Sequence, residues 1–213
     1  MFFRFFPLAL LLFLTAVSGC ASMNRTKQIP GVPLPSERVK EIQQLGENAG
    51  MVPEDEREGI TSALTEIIHQ ETDPLIRRTA VLAISHYPGP MTVDSLKFAE
   101  EDNDKEVRLA VCKSWQIYNS EESVPALINI LAAETDLDIR LEIIEILGQM
   151  KDKRAIPAMI VPLSSSDPAL HHYCVVALQE ITGFNGTDPH QWLAYCRKEI
   201  DQPGHKARSW FQK

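Results

Sequence analysis

The sequence predicts an all-α fold, an α-solenoid of about four short helical hairpins with a C-terminal capping helix, and three observations predict it. Four segments align without gaps: DPLIRRTAVLAISHY from Asp73, DKEVRLAVCKSWQIY from Asp104, DLDIRLEIIEILGQM from Asp136 and DPALHHYCVVALQEI from Asp167. In each, the third, seventh, eleventh and fourteenth residues after the aspartate are apolar, from Ile76, Ala80, Ile84 and Tyr87 in the first to Leu170, Cys174, Leu178 and Ile181 in the fourth. Steps of four, four and three put these residues on one face of a helix. Each aspartate stands where a side-chain oxygen caps the first turn, and Pro74 and Pro168 follow at the helical position where a missing N–H costs nothing.

Residues 1–19 carry one charge, Arg4, then an apolar run from Phe5 to Val17 and a small-residue end. This is the layout of a secretory signal, and the run is short of the roughly 20 residues that a spanning helix needs. Val17-Ser18-Gly19-Cys20 resembles the lipobox of bacterial lipoproteins. The resemblance implies cleavage before Cys20, which becomes a lipidated N-terminus in the cell envelope, outside the cytoplasm. Ala21 after the cysteine resembles the pattern that sorts such proteins to an outer membrane facing the periplasm, where the cell has two membranes.

Residues 20–35 hold Arg25 and Lys27 and no acid, and with Pro30, Pro33 and Pro35 they read as a stiff tether. Residues 36–200 form the solenoid. Val39, Ile42 and Leu45 give Ser36 to Gly46 an apolar stripe that caps its first end. Repeats follow at about 59–88, 90–119, 121–150 and 153–182, each a leading helix and a second helix. The leading stripes are Ile60, Leu64 and Ile67; Val93, Leu96 and Phe98; Val124, Leu127 and Leu131; then Ile156 and Met159. Pro125 and Pro157 suit opening turns, whereas Pro162 predicts a short or kinked fourth leading helix.

The fourth residue after each aspartate is Arg77, Arg108, Arg140 and then His171. A cation in the first turn opposes the helix dipole and so needs another partner. Stacking offers one: each arginine is expected to reach the capping aspartate of the next layer, forming a ladder.

D-x-x-x-R before an apolar helical stripe, preceded by V-P-A-L-I-x-x-L at Val124 to Leu131, resembles the short HEAT repeats also found in phycobilisome lyases. The resemblance covers roughly Gly59 to Thr182 and implies a helical-repeat stack. His171 in place of arginine, Asp94 in place of proline and Trp115 in place of a smaller residue depart from it. The T-G-x-x-x-G turn from Thr182 and the D-P-x-x-W segment from Asp188 resemble the closing segment of bacterial HEAT proteins, with Trp192 and Tyr195 as cap packing over 183–200. Residues 201–213 are a basic, aromatic tail with Trp210 and Phe211, suited to a membrane interface or to further cap contacts.

The net charge of −8 disfavours a nucleic-acid partner. Because tether and tail are basic, the solenoid between them is more acidic than the whole chain. The usual hydrolase, zinc-protease and nucleotide motifs are missing from the sequence. His171 and Cys174 lie three apart on a helix and could share a metal, but two ligands are too few and Cys174 falls on the buried stripe, so neither metal nor cofactor is expected. Cys174 and Cys196 could pair as a disulfide in an oxidising compartment.

The expected function is therefore a monomeric, non-catalytic scaffold that binds a protein or peptide along the face of its second helices. The fifth residue after each aspartate marks that face: Arg78, Leu109, Leu141 and His172. An enzyme accessory of the lyase-like branch acting on a cofactor-bearing partner, and a spacer without a specific partner, are the alternatives.

Overall fold

The computed structural model describes residues 34–186 and 188–201. The signal segment, Cys20, the tether before residue 34 and the tail after Asp201 lie outside the described residues. The chain runs through α1 (Pro35–Glu47), a 3-10 turn (Ala49–Met51), α2 (Glu54–Gln70), α3 (Pro74–Ile84), α4 (Pro90–Ala99), α5 (Lys105–Tyr118) and α6 (Ser123–Ala133). It continues through α7 (Leu137–Met150), 3-10 turns (Lys153–Met159), α8 (Ile160–Leu163), α9 (Pro168–Thr182) and α10 (Pro189–Asp201). The fold is an all-α solenoid of short hairpins. The second helices α3, α5, α7 and α9 pack side by side in one layer, and α1 joins that layer beside α3. On the other side α2 packs on α4, α6 on the Lys153–Met159 turns, and α10 on those turns and α8.

The four aspartates cap their helices. Asp73 Oδ1 accepts from the Leu75 N–H at 2.9 Å, Asp104 from Glu106 at 2.9 Å, Asp136 from Asp138 at 3.0 Å and Asp167 from Ala169 at 2.8 Å. Satisfying these otherwise orphaned donors fixes where each second helix begins, and thus the phase of its apolar stripe. That stripe is the core: the third, seventh and eleventh positions are buried in all four units, Trp115 and Cys174 included. Trp115 fits because its Nε1–H donates to Glu100 at 3.0 Å.

Two expectations need correction in the leading helices. Phe98 is 51% exposed and stacks on His69, ring centroids 3.9 Å apart, while Thr92, Ser95, Leu96 and Ala99 face inward. Two residues along a helix is about 200°, so Phe98 cannot share a face with Leu96. The first leading helix also begins at Glu54, before the apolar pattern, with Glu54, Asp55 and Glu56 in the first turn where the helix dipole favours acids. Pro162 acts as expected: the fourth leading segment is 3-10 turns followed by the four-residue α8.

At the C-terminal end Gly183 adopts φ +69° after α9 and turns the chain. Trp192 is buried, its Nε1–H donates to the Gly186 carbonyl at 3.2 Å, and Tyr195 stacks on Phe184 with centroids 4.5 Å apart. Among the described residues no helix is long and apolar enough to cross a membrane.

Candidate interaction surface

Arg78, Leu109, Leu141 and His172 occur once per layer on α3, α5, α7 and α9. Arg78 and His172 are exposed, whereas Leu109 and Leu141 are half-buried against the core. The column is therefore open at its two ends and closed by packing in the middle. Polar bridges cross the middle between layers: Lys113 to Glu142 at 3.4 Å, Gln116 to Gln149 at 2.6 Å and Lys105 to Asp138 at 3.0 Å.

Each open end borders a cleft. One, of about 210 Å³, lies between α1 and α3 and includes Val39, Gln43, Arg78, Leu82 and His86. The other, of about 220 Å³, lies between α7 and α9 and includes Glu145, Gln149, His172, Tyr173, Val176 and Glu180. At both places a glycine lets two helices approach closely. A Cβ on Gly46 would lie 3.0 Å from Ala83 Cα, and one on Gly148 only 2.8 Å from Ala177 Cα. Sequence reasoning missed Glu145 and Val176, which share the ninth place after the aspartate with Leu82 and Lys113. A repeat search extended to polar positions would have found that second column.

The arginine ladder exists, with a different acid from the one expected. Arg77 does not reach Asp104; its Nε and one terminal amine donate to Asp102 at 2.8 Å each. Arg108 likewise donates to Glu134, at 2.9 and 3.4 Å. Arg38 of α1 pairs with Glu71. Each acid stands two residues before a capping aspartate, which uses its Oδ1 for the helix N–H groups; Asp136 also offers Oδ2 to Lys105 of the preceding layer at 3.5 Å. The same acids also receive the backbone N–H of the cap: Asp73 to Glu71 at 3.2 Å, Asp104 to Asp102 at 2.9 Å, Asp136 to Glu134 at 2.9 Å.

The pairs are well enclosed, with the Asp102 and Glu134 side chains 10% and 6% exposed. Burial would raise both carboxyl pKa values, but the arginine and backbone donors outweigh it and hold both below the ordinary range. The Asp73 N–H, with Arg38, does the same for Glu71. The fourth layer differs. Ser165 stands two residues before Asp167, and Arg140 Nε and His171 Nε2 are both enclosed without a hydrogen-bond partner.

Cys112, Cys174 and Cys196 are free and buried. Burial pushes the first two thiols up to about 12 and the third to about 11, far from the thiolate form that attacks a substrate or binds a metal. Among the described residues no three His, Cys, Asp or Glu side chains are grouped as metal ligands.

A family model of HEAT repeats matches residues 61–145, and one of the PBS lyase HEAT-like repeat matches residues 139–160. No curated protein matches the chain. HEAT repeats build helical scaffolds for protein interactions, and the layers described above carry that arrangement.

Proposed function

We propose that the chain is a lipid-anchored, non-catalytic scaffold of the bacterial cell envelope. It is held on a membrane through Cys20, outside the cytoplasm, and binds a protein or peptide as a monomer. One observation carries the interaction reading: the second helices stack in a single layer whose outer face is open at Arg78 and His172, each beside a cleft. The signal segment and the Val17-Ser18-Gly19-Cys20 junction support the address. A multiply acylated terminus would hold the protein durably, since each buried lipid CH2 contributes about 0.8 kcal/mol.

The test is crosslinking capture in the native envelope with the full-length protein. Leu109 is half-buried, so an acid there would disturb packing; the informative variant is Arg78→Glu with His172→Glu, both exposed. Glu58→Lys with Glu66→Lys on the exposed face of α2 is the control. We expect one enriched partner, lost in the first variant and kept in the control. Equal capture by both would refute the assignment of this face. Cys20→Ala should release the protein from membranes, and an unlipidated Cys20 in the mature protein would sink the anchor.

A second reading, an accessory to an enzyme acting on a cofactor-bearing protein, is favoured by the lyase-type repeat match over residues 139–160. Copurification with a coloured partner would select it.

A further inference from the structure

Arg38, Arg77, Arg108 and Arg140 stand at one register of successive helices, and among the described residues only the first three meet a counter-charge. In the rungs closed by Asp102 and Glu134, the acid two residues before the cap does two jobs: it receives the cap's backbone N–H and the guanidinium of the preceding layer. In the fourth layer Ser165 Oγ takes the first job, accepting from the Asp167 N–H at 3.1 Å. The second job is not done. Arg140 makes no ion pair and no side-chain hydrogen bond among the described residues, and its Nε is enclosed.

Arg140 also lacks the carbonyl contacts of its siblings. Arg77 donates to the carbonyls of Glu71 and Thr72 at 3.1 and 3.0 Å, and Arg108 to that of Asp102 at 3.0 Å. In the next layer His171 takes the arginine position, and its Nε2 is enclosed and unpartnered too. Two nitrogens at the same register of adjacent helices thus have no hydrogen-bond partner. Arg140 as a whole remains partly exposed, and only its Nε is among the enclosed orphans, so its terminal amines are reachable from solvent. A guanidinium is always charged, and its fork matches a carboxylate in the way Arg77 matches Asp102.

We propose that Arg140, with His171 and Ser165 at the matching positions of the next layer, is a binding site for a carboxylate that does not belong to the solenoid. The incoming group completes the fourth rung, as Asp102 and Glu134 complete theirs. A free small carboxylate and an acidic side chain on a docked protein share this chemistry. The proposal deepens the scaffold reading and rests on it only for the second of these sources.

The experiment follows the Arg140 Nε–H signal by NMR in the labelled full chain held in detergent, the signal being assigned by its loss in Arg140→Lys. Acetate, a short peptide with a single glutamate, and the glutamine version of that peptide are titrated at constant ionic strength, with chloride as the balancing anion. Either carboxylate, paired with the reachable terminal amines of the same guanidinium, should move the signal saturably. Chloride and the glutamine peptide should not. Saturation by the peptide at far lower concentration than acetate assigns a protein source; equal concentrations assign a free carboxylate.

Ser165→Glu should supply the missing acid from within and abolish the response. If that variant does not fold, Arg140→Gln should remove the acetate response of the His171 ring signals instead. An Arg140 signal unmoved by both carboxylates overturns the site. So does an equal response to chloride, or a full response persisting in a folded Ser165→Glu protein. If envelope capture fails while acetate still moves the signal, the scaffold reading falls and the site stands. If capture succeeds while Arg140 stays silent, the scaffold stands and the site falls.

Discussion

The first three layers and the fourth are built on the same aspartate-capped second helix, and they differ in what surrounds it. From α1 to α7 every layer is tied to the next by an arginine pair, and the leading helices are continuous α-helix. In the last unit the leading segment is 3-10 turns and a four-residue helix, and the arginine of the preceding layer meets no acid among the described residues. Shared caps and a shared apolar stripe are therefore enough to set the fold, while the ion-pair ladder varies along it. The layer that lacks a rung is the one with chemistry left over.

The largest effects are expected at the rungs. Asp102→Ala or Glu134→Ala leaves an enclosed guanidinium unpaired and should cost about 3 kcal/mol in denaturant unfolding. Ser165→Ala, which touches only a cap N–H, should cost no more than about 1 kcal/mol. Similar losses at all three sites would remove the distinction between the layers.

The helix contacts come next. Gly148→Val would push a side chain into the Ala177 backbone and should cost about 2 kcal/mol, with Gly46→Val costing somewhat less because its neighbour stands slightly farther away. The reverse order in thermal melts would show that α1 and α3 are the more tightly set pair.

The pH dependence of stability separates two kinds of acid. The rung carboxyls Asp102 and Glu134 titrate below their ordinary 3.8 and 4.5 when folded. Their contribution is complete above those values and is lost as pH falls through the folded ones. Glu100 runs the other way. Burial raises it above 4.5, and the Trp115 N–H opposes that only in part. Its contribution is complete below 4.5 and is lost as pH rises through the folded value. Glu100→Gln keeps an acceptor for Trp115, so it should stabilise the protein at pH 7 and lose that advantage near pH 4. A pH-independent effect would show that Glu100 is not penalised by burial.

The smallest effect separates the layers most cleanly. Arg140→Met keeps the aliphatic stem and removes a charge that no described residue pairs with, so stability should change by no more than about 0.5 kcal/mol. Arg108→Met should cost several times more, because it strands Glu134.

The helical stack was legible because its determinants are local. An aspartate caps within two or three residues, and a stripe every three to four residues needs no knowledge of neighbours. The ladder was legible only by half: the cations stood out at a fixed register, but their acids sit in the turns, where Glu71, Asp102 and Glu134 differ in residue type and precede each aspartate by two. Ser165 at that position was the readable sign of a missing rung. The candidate face was harder. Leu109 and Leu141 sit in register with Arg78 and His172, yet the two leucines pack against the core while the two polar side chains stay exposed. Contacts between layers, such as Gly148 against Ala177, are likewise beyond what a pattern within one helix can reveal.

Whether the fourth layer is held differently from the three before it can be read helix by helix in native-state amide hydrogen exchange. Lys153–Leu163 and α9 should open at lower free energy than α3, α5 and α7, and Ser165→Glu should narrow the gap. Uniform protection from α3 to α9, unchanged by that substitution, would show that the missing rung makes no difference to how the layers are held.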